Sequence, residues 1–128
     1  LQVVAAIRGI TTGQFLKQIR VYEAERVSPQ LEYLKRSLII LTDDFEQAVK
    51  KVTAPDDKEF IDFHARRLVE MAGHIIMSYL LLMDANRNES FLRSAKNYAA
   101  FAKAQVKAHA EQIRVSELSD LGEYKFEL

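Results

Sequence analysis

The sequence predicts an all-α protein, an antiparallel up-and-down bundle of three long helices preceded by one or two shorter ones. Three observations carry this. Apolar residues recur at alternating three- and four-residue steps over three stretches of about twenty-five residues, the spacing that lines up one helix face. No segment alternates apolar and polar side chains for the length of a strand. Only four glycines and two prolines punctuate 128 residues, and they cluster mainly between the periodic stretches.

Apolar periodicity begins at Leu1 with no initiator Met, cap or polar lead-in. Residues 1–10 therefore read as a helix whose start lies upstream, and the chain as a piece cut from something larger. The cluster Gly9, Thr11, Thr12 and Gly13 ends it, supplying a left-handed terminal glycine and a cap for the next helix. That second helix covers about 14–26. Ser28 then suits an N-cap and Pro29 the first helical position, where a missing N–H costs nothing. The helix they open, to about 52, places Leu31, Leu34, Leu38, Leu41, Phe45, Ala48 and Val52 on one stripe.

Thr53-Ala54-Pro55 breaks that helix, and Asp56 with Glu59 forms a capping pair for the next, expected to reach about 86. Its seam is Ile61, Ala65, Leu68, Ala72, Ile75, Tyr79 and Leu82, widened by Val69, Ile76, Leu80 and Met83. The turn at Asn86-Arg87-Asn88 leads to a last long helix over about 89–114. This one turns Phe91 or Leu92, Ala95, Tyr98, Ala102, Val106 and Ile113 inward, and its many alanines permit close approach. A short helical turn is expected near 117–121, ended by Gly122.

Eighteen basic and eighteen acidic residues cancel, so no global field attracts nucleic acid, anionic lipid or an acidic substrate. With no cysteine there is no disulfide framework, thiol catalysis or Cys-ligated zinc, and a cytoplasmic setting is the easier reading. The most apolar run, residues 75–83, is far short of the roughly 20 residues of a transmembrane span, so neither a membrane helix nor a signal peptide is expected.

Several patterns invite chemistry. Glu70 and His74 share a face four residues apart and could be half of a metal site, but di-iron bundles use Glu-x-x-His with glutamates from other helices. His74 reads instead as a buried or half-buried histidine bonded across the bundle. His64 and His109 stand in charged surroundings and are expected to be exposed, with no serine or carboxylate at nucleophile spacing. Gly9-Ile-Thr-Thr-Gly13 lacks the strand, lysine and glycine count of a phosphate loop. Met71, Met77 and Met83, six apart, fall on different faces and should fill gaps. Asn88-Glu-Ser90 matches a glycosylation sequon but suits helix capping. Arg93, Lys96, Lys103, Lys107 and Arg114 form a basic stripe, either a dock for an anion or acidic partner or a solvated face relieved by Glu111 and neighbouring acids. No catalytic, cofactor-binding or metal-ligating residue is assigned.

The opening Leu1-Gln-x-x-x-x-Ile-Arg8 resembles the helix that follows the catalytic Glu-Gly-Thr segment of flavin-dependent acyl-CoA dehydrogenases. Val4-Ala-Ala-Ile-Arg8, Thr11-Thr-Gly13, Ala65-Arg-Arg-Leu-Val-Glu-Met-Ala72, the run from His74 through Met-Ser-Tyr to Leu82, and the closing Tyr124-Lys125 are similar to the C-terminal region of bacterial members carrying an extra helical domain. The resemblance implies that residues 1–13 end the parent's post-catalytic helix and that 14–128 form an appended helical-bundle domain. It implies a parent that oxidises acyl-CoA to trans-2-enoyl-CoA in fatty acid oxidation, with FAD taking the hydride and an electron-transfer flavoprotein the electrons.

The general base of that family lies just upstream of the Leu-Gln pair, outside this chain, and so does the FAD site. Gln2 and Arg8 are structural in this reading. The resemblance thus implies a noncatalytic fragment without its own cofactor, partnered by the rest of the dehydrogenase and by further copies in a dimer or other homo-oligomer. In related dimeric dehydrogenases the appended domain covers surface that a second dimer occupies in tetramers. The alternative is a free-standing helical interaction module without enzymatic activity; a bundle enzyme with its own metal is a third reading.

Overall fold

The structure is a computed structural model that describes residues 8–117. Gln2, the opening residues 1–7 and the expected turn near 117–121, beyond Glu117, lie outside the described residues. Four α-helices lie wholly within them: α1 (Gln14–Glu23), α2 (Glu32–Thr53), α3 (Lys58–Arg87) and α4 (Leu92–Val115). Polar contacts between them give the topology. Ser28, at the entry to α2, meets Asn86 at the end of α3, His74 meets Tyr98, and Lys51 reaches the Arg114 carbonyl. The three long helices therefore run up, down and up, each packed on the other two, and α1 lies against α2 and α3.

Residues 8–11 are helical and end as expected from the glycine–threonine cluster. The Thr11 and Thr12 hydroxyls donate to the Arg8 carbonyl, and Gly13 takes the left-handed conformation with φ 75°. Gly9 has a separate reason, since a Cβ there would sit 2.8 Å from the Phe15 ring. The helix expected over 14–26 stops at Glu23. Asn86 explains the early end by holding the next stretch of chain, its Nδ2 donating to the Arg26 carbonyl and its Oδ1 accepting from the Ser28 N–H. Ser28 stands in the cap position, but its side chain makes no cap bond; a 3-10 turn, Pro29–Leu31, leads into α2.

The cap of α3 is shifted by one residue from the sequence reading. Asp57, not Asp56, accepts from the Phe60 N–H at 3.1 Å, while Asp56 takes φ 51° to complete the turn after Pro55. Asn88 caps the Glu89–Phe91 turn by accepting from the Ser90 N–H, the role preferred for it over glycosylation.

Every residue of the α2 stripe is buried, and α3 contributes Phe60, Ala65, Leu68, Met71, Ala72, Ile75, Tyr79 and Leu82 from its inner side. Leu92 rather than Phe91 turns inward from α4, with Ala95, Ala99, Ala102, Val106 and Ile113 behind it. By length and composition alone α3 would also serve as a membrane span, more than residues 75–83 suggested. Its apolarity instead serves a central packing position, since it touches α1, α2 and α4 together. Two residues expected inside point out: Leu80 and Met77, the latter one of three methionines expected to fill gaps. Met71 does fill the core; Met77, six residues and about 240° further round, cannot.

Candidate functional site

The α3–α4 seam gathers a row of ionisable side chains. His64, Arg67, Glu70 and His74 recur at three- and four-residue steps on the edge of α3 that faces α4. Each meets a partner across the seam. His64 Nε2 lies 3.0 Å from Ser116 Oγ and Arg67 Nε donates to Gln112 Oε1 at 3.0 Å. Further along, Glu70 Oε2 is 2.9 Å from His109 Nε2, and His74 Nδ1 is 3.1 Å from the Tyr98 hydroxyl.

His64 and His109 correct the expectation of exposed histidines. His64 is buried among Phe60 and Phe63, whose rings meet it edge-on at 4.9 Å, and both ring nitrogens of His109 are shielded from water. The sequence missed this because the partners are remote: Ser116 is 52 residues from His64. The signal available was the 64-67-70-74 register itself, matched on α4 by Tyr98, His109 and Gln112. His74 behaves as expected, half-buried and bonded across the bundle.

A buried serine beside a histidine invites comparison with a nucleophile pair, and the local charges argue against it. Burial pushes the His64 ring down to about 4, with Arg67 and then Lys51 acting in the same direction. Arg67 Nη1 approaches His64 Nδ1 at 3.5 Å, and a guanidinium can only donate. With a donor at Nδ1, the tautomer assigned to the neutral ring carries its proton on Nε2, directed at Ser116 Oγ. A catalytic base needs the opposite arrangement, with a carboxylate at Nδ1. The pair ties the end of α4 to the start of α3. Burial also lowers the His74 pKa, with Glu70 opposing and His109 assisting.

The other candidates resolve in the same structural direction. Among the described residues no three His, Cys, Asp or Glu side chains gather to hold a metal, and Glu70 is engaged by Arg66 and His109. The basic stripe is divided: Lys107 pairs with Asp44, Arg114 with Glu111, and Lys96 lies over the Tyr33 ring, 5.9 Å from its centroid. Lys103 lines a shallow groove of about 330 Å³ with Tyr33, Ser37 and Lys96 between α2 and α4. Fit to a dinucleotide is poor. At the Gly9–Gly13 turn the Thr12 and Gly13 N–H groups already bond to the carbonyls of Arg8 and Ile10, leaving no cradle for a phosphate. Arg8 is exposed and offers only its carbonyl to the turn.

Fold and seam together define a helical-bundle domain in which a polar seam ties α3 to α4. Residues 11–121 match the family described as acyl-CoA dehydrogenase C terminal. A solved structure, an acyl-CoA dehydrogenase family protein from Porphyromonas gingivalis, superposes with a TM-score of 0.83 at 38% identity, covering 88% of this chain and 98% of that one. No curated protein matches the chain. The chain belongs to the acyl-CoA dehydrogenase C-terminal domain family.

Proposed function

We propose that this is the noncatalytic C-terminal domain of an FAD-dependent acyl-CoA dehydrogenase, with residues 1–13 ending the parent's post-catalytic helix and 14–128 appended as a packing and assembly domain. The parent converts acyl-CoA to trans-2-enoyl-CoA in the cytoplasm and passes electrons to an electron-transfer flavoprotein; FAD and thioester are held by the part upstream of Leu1. The observation that carries this reading is the polar seam. His64, Arg67, Glu70 and His74 are all engaged in tying α3 to α4, and the serine–histidine pair at its end has a guanidinium, not a carboxylate, beside its Nδ1.

The test is direct. Titrated with FAD, the purified chain is expected to show no quenching of flavin fluorescence and to retain no flavin through gel filtration. A yellow protein with bound flavin overturns the reading. In the parent gene a Glu-Gly-Thr segment immediately before Leu1 is expected; a start codon there would favour a free-standing interaction module.

A further inference from the structure

Among the described residues, the outward side of α3 is left over once α1, α2 and α4 have packed around that helix. Asp62, Arg66, Val69, Gly73, Met77, Leu80, Asp84 and Arg87 fall within an arc of about 80° at 100° per residue. Within the arc Met77 is 45% and Leu80 38% exposed and Gly73 is open, while Val69 is half-buried with one side against the core. Gly73 is the anomaly. A glycine inside a helix is less favourable than alanine, yet a Cβ at this position would meet nothing within 4 Å. Neither a turn nor a neighbour among the described residues requires it. Beside it Phe101, half exposed, meets His74 edge-on at 5.4 Å and walls the α4 flank with a further apolar surface.

The charges along this face are complementary to their own reverse order. Acid then base (Asp62, Arg66) precede the apolar centre, and acid then base (Asp84, Arg87) follow it. A second α3 laid antiparallel about a point between His74 and Ile75 sets Met77 against Gly73, Val69 against Leu80, Arg66 against Asp84 and Asp62 against Arg87. Each pairing occurs twice, as a two-fold interface demands. Within one chain the ion pairs of this face stay on their own helix, Arg66 with Glu70 and Arg87 with Asp84, and are exposed pairs of small worth.

We propose that the outward face of α3 is a self-association surface, on which a second copy of this chain docks antiparallel with Met77 seated on the bare backbone at Gly73. The glycine permits an axial separation near the lower end of the usual 8–10 Å, and a shallow crossing keeps the end charges, about 19 Å from the centre, within reach of each other. One helix face with a flanking phenylalanine is a small interface, so the dimer is weak, with a dissociation constant on the order of 10 μM. This gives the proposed assembly role a surface and rests on that reading for its place in the parent. The dimer itself is measured on this chain alone, so its failure leaves the flavin result untouched and the two readings fail separately.

Sedimentation equilibrium of the chain, with circular dichroism as the check on folding, tests it. The wild type is expected to dimerise reversibly. Gly73→Glu adds a side chain into open space at a position that favours helix, so folding is retained, and dimerisation should weaken by about 100-fold or more. Arg66→Glu and Asp84→Arg should each weaken it by about tenfold, and the double variant should return to within about threefold of wild type, because each new charge faces the other across the two-fold. A monomeric wild type, a dimer indifferent to Gly73→Glu, or charge reversals without mutual rescue overturns the proposal; the face then belongs to another occupant, such as the rest of the enzyme or lipid.

Discussion

His64 makes folding stability depend on pH in a defined direction. In the folded chain burial, followed by Arg67 and Lys51, pushes the ring from its ordinary 6.5 down to about 4. Between those values the unfolded chain binds a proton that the folded chain refuses, so stability falls as the solution is acidified. The full contribution is present above about pH 6.5 and is lost progressively as the pH falls through 4. At 1.36 kcal/mol per pH unit the loss is about 2 kcal/mol by pH 5 and about 3 kcal/mol below pH 4. Urea unfolding at about pH 7.5 and about pH 5, on wild type and His64→Gln, isolates this term; His74 and the carboxylates act in both proteins and cancel. The wild type should lose about 2 kcal/mol more than the variant over that interval. Should the replacement fold poorly, the ring can be followed directly by NMR, where its titration midpoint belongs near 4. Equal losses in the two proteins, or a midpoint near 6.5, would show that the ring is reached by solvent and refute its burial between Phe60 and Phe63.

Other perturbations test other parts of the structure. Leu68→Ala or Ile75→Ala, both at fully buried α3 positions, should each cost about 2–5 kcal/mol in chemical denaturation, and a loss under 1 kcal/mol would mean the core lies elsewhere. Asp57→Ala removes the cap of α3 and should cost about 1 kcal/mol, whereas Asp56→Ala removes no cap bond; equal cap-dependent fraying of residues 58–61 by hydrogen exchange would contradict the assignment. Arg20, paired with Glu23 on its own helix, joins α1 to α2 through Asp43 and Glu46, so Arg20→Ala should lower protection in 14–23 selectively and cost about 1 kcal/mol overall. Uniform loss of protection across all four helices would show that α1 is not a separately opening unit.

The legible parts of this fold are those governed by local spacing. The α2 stripe from Leu31 to Val52 was readable without exception because a helix buries a face at fixed intervals, whatever it packs against. Most of the α3 seam was readable for the same reason. The errors sit where the outcome depends on a neighbour. Asp56 and Asp57 both satisfy a cap pattern, and only the turn after Pro55 selects between them. The end of α1 at Glu23 follows from Asn86, some sixty residues away in sequence.

By itself the sequence determined the all-α class, three long helices, the inward stripes and the likeness to a family, since periodicity, caps and motifs are local properties of the chain. Tertiary structure decided what the polar residues do. His64 became buried and neutral beside Ser116 because α4 returns antiparallel to α3, which also shields the His109 ring nitrogens in the same seam. It also decided which side of α3 is left over. Apolar residues surround much of that helix, and only the placement of α1, α2 and α4 around it leaves Gly73 and Met77 facing out. Burial, charge pairing and protonation depend on distances between segments remote in sequence, and those distances are set by packing.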